Sequence, residues 1–520
     1  MILGLILVAA STLVALLAVR QRFRRLAARP RQPGTTRPAP RDAPLPRLLA
    51  GALAQHPGLN GIHSLFDPLD ALAARLELTQ AAVSSIDVQY YIWHRDTAGL
   101  MLLGALCDAA ARGVRVRLLL DDNSTAGLDD TLAHFAAHPN VELRLFNPFP
   151  MRRGRSLGYV LDFARLNRRM HNKAMIFDAS LAIIGGRNIG DDYFNDFSSG
   201  MYMDMDIAAA GPVVSEVSAQ FDAYWASPLA VPSAHVLRAL PPHRARSLTR
   251  TRAATLARPQ ATAYRAALAQ ARYLARFDRP DAGFLWAKAD LVVDPPAKAE
   301  GRARDRDLLW PYLLHALGRP QREMDLISGY LVPTRAGVRA LARIAAGGVR
   351  VRVMTNSLAL NDVGIVHAGY AHRRKPLLRA GVRLFEYAGE RPRPPGQKLD
   401  LLGRHRKGTS PFSRNKLHAK VFSVDRARVF IGSFNFDPRS LWLNTELGVV
   451  IHSPELATDL AEAFGTTRAY VLSLEGGHAL RWTLHHANRP DEVFTREPGA
   501  TRGQRVFVAL ASWLPIEWML

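Results

Sequence analysis

A short pattern occurs twice in this chain, and its spacing limits the folds open to the whole. His171-Asn172-Lys173 leads through an apolar run to Asp178 and then to Gly185-Gly186-Arg187-Asn188. His418-Ala419-Lys420 leads in the same number of steps to Asp425 and then to Gly432-Ser433-Phe434-Asn435, and the histidines are 418 − 171 = 247 positions apart. Alternate side chains of an extended segment share a face, so each copy presents one imidazole beside one ammonium. Residues 174–177 and 421–424 read as buried strands, Asp178 and Asp425 fall where those strands turn, and residues 181–184 and 429–431 return toward small residues that let a ligand approach the backbone.

The flanks repeat as well. A strand at 85–92, a helix at 99–112 and a strand at 114–120 are matched by a strand at 324–330, a helix at 336–346 and a strand at 349–354. The strand at 141–146 is matched by one at 382–387. The chain is therefore an internal duplication. Alternation of strand and helix in each half predicts an α/β fold with a mostly parallel sheet covered on both faces. Ligands of such sheets bind at strand ends or where halves meet, so the two His-Lys pairs are expected to face each other there. The expected halves are 61–226 and 321–475, separated by an Ala- and Arg-rich helical insert at 227–320 and followed by an apolar-ended tail at 476–520.

Residues 2–19 carry no charge, and as a helix they match the hydrocarbon thickness of a bilayer. Positive charge follows this run, from Arg20 through Arg31, rather than preceding it. That is the arrangement of an uncleaved single-pass anchor, residues 1–19, with the body on the cytoplasmic side. Between it and the first half, the linker 20–60 holds a stretch of alternating proline and arginine, a composition that predicts an unpacked tether able to meet anionic headgroups. The net charge of +23 calls for a polyanionic partner, either nucleic acid or an anionic membrane. No stripe of interleaved aromatic and basic residues marks a nucleic-acid groove, and an anchor serves a membrane substrate, so no nucleic-acid partner is expected. The single cysteine, Cys107, excludes an internal disulfide.

Displacement at a phosphodiester needs a nucleophile on one side of phosphorus, a proton for the departing alkoxide on the other, and cations on the non-bridging oxygens. Two inward-facing histidines supply the first two, one neutral and one protonated, both near the ordinary imidazole value of about 6.5. Lys173 and Lys420 neutralise the phosphate, Asn188 and Asn435 add neutral donors, and Gly186 and Ser433 let the substrate close in. Acids lie downstream of each motif, Asp204 and Asp206 in the first half and Glu446 in the second, and of these Asp206 and Glu446 are expected to orient the imidazoles. This chemistry calls for no metal or other cofactor.

The paired His-x-Lys-x4-Asp motifs with their Gly-Gly/Ser-x-Asn tails resemble the phospholipase D superfamily over most of residues 61–470. The resemblance implies two duplicated α-β-α sandwich domains packed face to face behind an N-terminal transmembrane helix. It also implies catalytic roles for His171, Lys173, Asp178, His418, Lys420 and Asp425, with His171 as nucleophile and His418 as acid. Gln89-Tyr90-Tyr91-Ile92-Trp93, residues 185–194 and Leu514-Pro515-Ile516-Glu517-Trp518 are similar to the bacterial cardiolipin synthases, above all their type C. For that type the implied substrates are phosphatidylglycerol and a phosphatidyl donor, phosphatidylethanolamine, at the bacterial inner membrane. A lipid hydrolase using the same intermediate is the alternative, with a nuclease behind it.

Overall fold

The computed structural model describes residues 2–28, 34–194, 201–278, 283–389 and 416–520; the side chains of 2–9, 260 and 263 are left aside. Each half is built on one mixed sheet. In the first, Val141–Phe146, Arg115–Asp121 and Ser85–Tyr90 run parallel, and Ala174–Phe177, Leu181–Gly185, Asp206–Ala210 and Asn60–Leu65 follow in antiparallel order. In the second, Arg383–Tyr387, Arg350–Asn356 and Glu323–Ser328 run parallel, followed by Lys420–Val424, Arg428–Gly432 and Leu447–His452. The expected mostly parallel sheet is thus corrected to a mixed one. Only the three strands linked by crossover helices can run parallel, because the motif strand turns back within a few residues and a tight turn permits antiparallel pairing alone.

One strand belongs to both sheets. Leu285–Val293 pairs through residues 285–287 with Asn60–Leu65 of the first half, and through residues 288–293 with Leu447–His452 of the second. Its place beside Leu447–His452 is the place Asn60–Leu65 holds beside Asp206–Ala210. The second half therefore begins inside the expected insert. Of that insert, the helices Pro242–Leu256 and Pro259–Ala271 remain without a counterpart.

Strand alternation sorts the cores. Ile86, Val88 and Tyr90 point into an outer core with Leu72, Leu78, Leu102 and Leu106 of the helices Pro68–Ala81 and Thr97–Ala111. The latter helix starts at the Asp96 cap, which accepts the Gly99 N–H at 3.0 Å, and is followed by Gly113 at φ 99. Ile176, Ile184, Ile207 and Phe221 join Val421, Ile431, Val449 and Phe464 in a single cluster, so the halves share a core between their sheets.

Asp178 and Asp425 stand apart from the histidines, at the far ends of their strands. Asp178 takes φ 53 and accepts the N–H groups of Val83, Ser84 and Ser85 at 2.7–3.0 Å. Asp425 takes φ 55 and accepts those of Gln321, Arg322 and Glu323 at 2.7–3.1 Å. Both pin the hairpin corner to the start of the neighbouring parallel strand, which corrects their expected place among the catalytic groups.

The described part of the linker is packed rather than free. Arg115 and Arg117 donate to the carbonyls of Thr35 and Gly34 at 2.8 Å, Thr36 donates to Asp87 at 2.7 Å, and Ser85 donates to the Arg37 carbonyl at 2.6 Å. Pro44–Gln55 then forms a helix that buries Leu45, Leu49 and Ala52; linker residues 29–33 lie outside the described residues. The N-terminal helix runs from Ile2 to Ala27, and Val19 and Phe23, one turn apart, are buried against the body. Part of the expected span, residues 2–9, lies outside the residues whose side chains are described. Among the described residues no helix is long and apolar enough to cross a membrane, so the anchor rests on the sequence.

Replacing Asp178 or Asp425 by alanine strands three N–H groups and is expected to lower stability by about 2–4 kcal/mol. Thermal unfolding measures the loss. A fall in turnover with an unchanged melting temperature would show that the aspartate acts chemically instead.

Candidate active site

The two His-x-Lys segments are each held by the opposite half. Met170 bridges Thr445, with His171 N–H donating to the Thr445 carbonyl at 2.9 Å and Thr445 N–H to the Arg169 carbonyl at 2.8 Å. Lys416–Leu417 pairs in parallel with Tyr202–Met203, and His418 N–H donates to the Met203 carbonyl at 2.8 Å. These backbone pairings bring a carboxylate from the far half to each imidazole. His171 Nδ1 lies 2.8 Å from Glu446 Oε2, and His418 Nδ1 is hydrogen-bonded to Asp204 Oδ2. With Nδ1 so engaged, Nε2 is the ring nitrogen left to meet a substrate, and at His418 it lies 3.3 Å from Lys420 Nζ.

The structure places Glu446 beside the histidine of the other half. Asp206 is not so placed: it binds Arg75 at 2.8 Å and accepts the Arg187 N–H at 3.1 Å, a buried tie between the glycine-rich turn and the helix Pro68–Ala81. Asp204 takes the place expected for it. Sheet register shows why, since Gly185 lies opposite Asp206 where Gly432 lies opposite Gly448, making Asp204 the equivalent of Glu446. The first half has 204 − 188 = 16 positions from asparagine to acid and the second 446 − 435 = 11, so counting along the chain misses it.

Gly186 and Ser433 act on the carboxylates. A Cβ at Gly186 would sit 2.1 Å from Asp204 Oδ1, so only glycine leaves room for the acid. Ser433 donates to Glu446 Oε2, and Ser440 holds the other carboxylate oxygen at 2.8 Å. Asn188 is engaged at both ends, donating to Tyr193 Oη at 2.9 Å and accepting the Ile92 N–H at 3.1 Å. Asn435 differs: its side-chain oxygen is buried with no hydrogen-bond partner among the described residues. Lys173 Nζ donates to the His171 carbonyl at 2.6 Å, while Lys420 Nζ lies against the His418 ring and 3.9 Å from Asp204.

Aromatic rings, which sequence reading did not single out for this role, wall the site. Tyr91 stands edge-on to His171 with centroids 4.9 Å apart, and Tyr193, Tyr202 and Tyr330 surround His418 at 5.1–5.8 Å. Tyr91 and Tyr330 each follow the parallel strand that precedes the motif strand in the sheet, and that shared position was the available signal.

Burial depresses both imidazoles below the ordinary 6.5 that the sequence suggested, His171 well below it with Lys173 and Lys420 adding to the effect, and His418 with Lys420 adding. Burial pushes the Glu446 carboxyl up to about 7, against the pull of Lys173. Burial also drives Asp204 upward, but Lys420 and His418 outweigh it and hold the carboxyl below its usual range. Burial lowers both lysines, Lys173 well below its ordinary value. The histidines are therefore unlike. His418 faces a firm carboxylate that supports an imidazolium, whereas His171 faces an acid that gives up its charge near neutrality.

Comparison with known proteins agrees with this architecture. Residues 76–225 and 313–468 match the family described as "Cardiolipin synthase, PLD-like domain". The chain is 44% identical over 482 residues to cardiolipin synthase C of Escherichia coli K12, covering 92% of this chain and all of that one. It is 26% identical over 371 residues to cardiolipin synthase B of Shigella flexneri, covering 71% of each. Among solved structures, the phosphatidylserine synthase of Haemophilus influenzae shares the fold with a TM-score of 0.54 at 12% identity, covering 91% of this chain and all of that one. A duplicated sheet, a His-Lys pair from each half and these relatives place the chain in the phospholipase D-like cardiolipin synthase family.

Proposed function

We propose that this protein is a membrane-anchored phosphatidyltransferase that makes cardiolipin from phosphatidylglycerol and a phosphatidyl donor through a phosphohistidine on His171. The observation that carries the reading is the unlike environment of two buried imidazoles at one cleft, one kept neutral and one backed by an ionised carboxylate. His171 Nε2 attacks the donor phosphorus and the bond to the departing alcohol breaks. His418 gives that alkoxide its proton and is left neutral. A hydroxyl of phosphatidylglycerol then attacks phosphorus from the vacated side, His418 takes its proton, and the phosphorus–nitrogen bond breaks to release cardiolipin and neutral His171. Lys173 and Lys420 stabilise the non-bridging oxygens.

The apolar residues 2–19 and the arginines after them support an anchor in the bacterial inner membrane with the body in the cytoplasm. The name of its relative in Escherichia coli supports the product. Phosphatidylethanolamine is the donor the family resemblance implies.

Incubating the protein with labelled phosphatidylglycerol, with and without phosphatidylethanolamine, is expected to yield labelled cardiolipin; phosphatidic acid alone would make the enzyme a hydrolase. Because lysines supply the positive potential, turnover is expected to survive exhaustive chelation of divalent metals, and loss restored by one metal would reject this site.

The histidines are separated by a donor with an activated leaving group. His171→Ala is expected to form no covalent adduct, whereas His418→Ala, slowed roughly 10²–10⁴-fold on natural lipid, still traps one visible by mass spectrometry. Asp204→Asn removes the group that raises His418, so its kcat/KM profile is expected to lose activity on the alkaline side at lower pH than the wild type. Asp206→Asn is expected to lower the melting temperature and leave that limb in place.

A further inference from the structure

Two elements of the body each leave several large apolar side chains uncovered. On the helix Arg155–Leu161, Leu157 and Val160 are 55% and 73% exposed; on and after the helix Arg502–Ala511, Leu510, Trp513, Leu514 and Trp518 are 68%, 89%, 53% and 57% exposed. A surface this apolar on a water-facing protein marks a contact.

These two groups are joined through a short chain of polar contacts. The helix Arg155–Leu161 packs on the N-terminal helix where Val19 and Phe23 meet the body, and the Arg165 guanidinium lies 3.6 Å over the Phe23 ring. Tyr159 of the same short helix donates to Asn167 at 3.2 Å, and Asn167 accepts from Arg439 at 2.7 and 3.1 Å. Arg439 in turn donates from its backbone to the Leu520 carbonyl at 2.7 Å and from Nε to the Met519 carbonyl at 3.1 Å. The residue after Arg439 is Ser440, which holds Glu446 and through it His171. The apolar collar, the root of the N-terminal helix and one wall of the active site are thus a few side chains apart.

The composition of the collar fits a lipid surface. The helix Arg502–Ala511 docks Val508 and Ala511 against the body, turns Val506, Phe507 and Leu510 outward and carries Arg502 and Arg505 at its start. An outward apolar face, nearby arginines and exposed tryptophans are what the headgroup layer of an anionic bilayer accepts.

We propose that this collar is seated in the headgroup layer of the leaflet that the N-terminal helix enters, so that the cleft between His171 and His418 takes lipid from the bilayer edge instead of drawing it through water. The proposal rests on the anchored phosphatidyltransferase reading above and adds a second, independent membrane contact made by residues 502–518.

The test uses the full chain in nanodiscs of phosphatidylglycerol and phosphatidylethanolamine. In a Cys107→Ser background, Trp513→Cys or Trp518→Cys carries an environment-sensitive fluorophore, and lipids brominated near the glycerol end of the acyl chain are expected to quench it. In parallel, a Trp513→Ser/Trp518→Ser double variant is expected to lose about tenfold in turnover of bilayer lipid, the order expected for removing a contact of this apolar area. It should keep wild-type turnover of a short-chain phosphatidyl donor dissolved as monomers. Fluorophores that stay in water, or equal losses on both donors, would overturn the proposal. Fluorophores shielded equally in lipid-free detergent, in a particle of twice the protein mass, would overturn it in favour of a second copy of the chain. If the wild type turns over neither donor, the phosphatidyltransferase reading fails, while lipid quenching still reports on the membrane contact.

Discussion

The reciprocal loan of carboxylates is the interaction on which the rest of this structure depends. Glu446 of the second half lies against His171 Nδ1 of the first, and Asp204 of the first lies against His418 Nδ1 of the second. Each motif histidine takes its carboxylate from the other half. The shared core of Ile184, Ile207, Ile431 and Val449 therefore does more than join two domains, because a small shift between the sheets would misplace both acids together. Backbone pairings fix the same relation twice over, through Met170 with Thr445 and through Leu417 with Met203.

Electrostatics gives that arrangement its purpose. Four nitrogen bases, His171, Lys173, His418 and Lys420, are buried at the cleft, with Asp204 and Glu446 as the acids bound to the imidazoles. Desolvation is why the imidazoles and ammonium groups are held below their ordinary values, with neighbouring lysines adding to it at His171 and His418 and Lys420 adding to it at Lys173. A phosphate diester entering here brings the negative charge the cluster lacks. Its charge offsets part of the cost of burying the lysine ammonium groups, which favours an anionic centre over a neutral ester of the same shape.

The histidine and lysine positions were legible because each pair is contiguous and the strand period of two fixes their common face. The acids were half legible. Glu446 was in reach, but the longer first-half loop shifted the count and made Asp206 look equivalent when Asp204 is, a difference only sheet register reveals. The motif aspartates fall where strands turn, and only the family resemblance assigns them to the chemistry. They recur because both copies need the same corner, with a left-handed residue capping three N–H groups. The proline- and arginine-rich linker was misread for a different reason: proline removes a donor yet leaves every carbonyl available, and Arg115 and Arg117 use those carbonyls.

The strand Leu285–Val293 gives the duplication a direction. Its first residues extend the edge of a sheet whose other strands all precede it in the chain, and its remaining residues offer an edge to a sheet whose other strands all follow. As the chain emerges from the ribosome, the first half can close and fix this strand before Leu447–His452 has been synthesised. The second sheet then grows upon a template already held in place. The two copies descend from one repeat, but the later one inherits its starting edge, and with it its orientation toward the cleft, from the earlier.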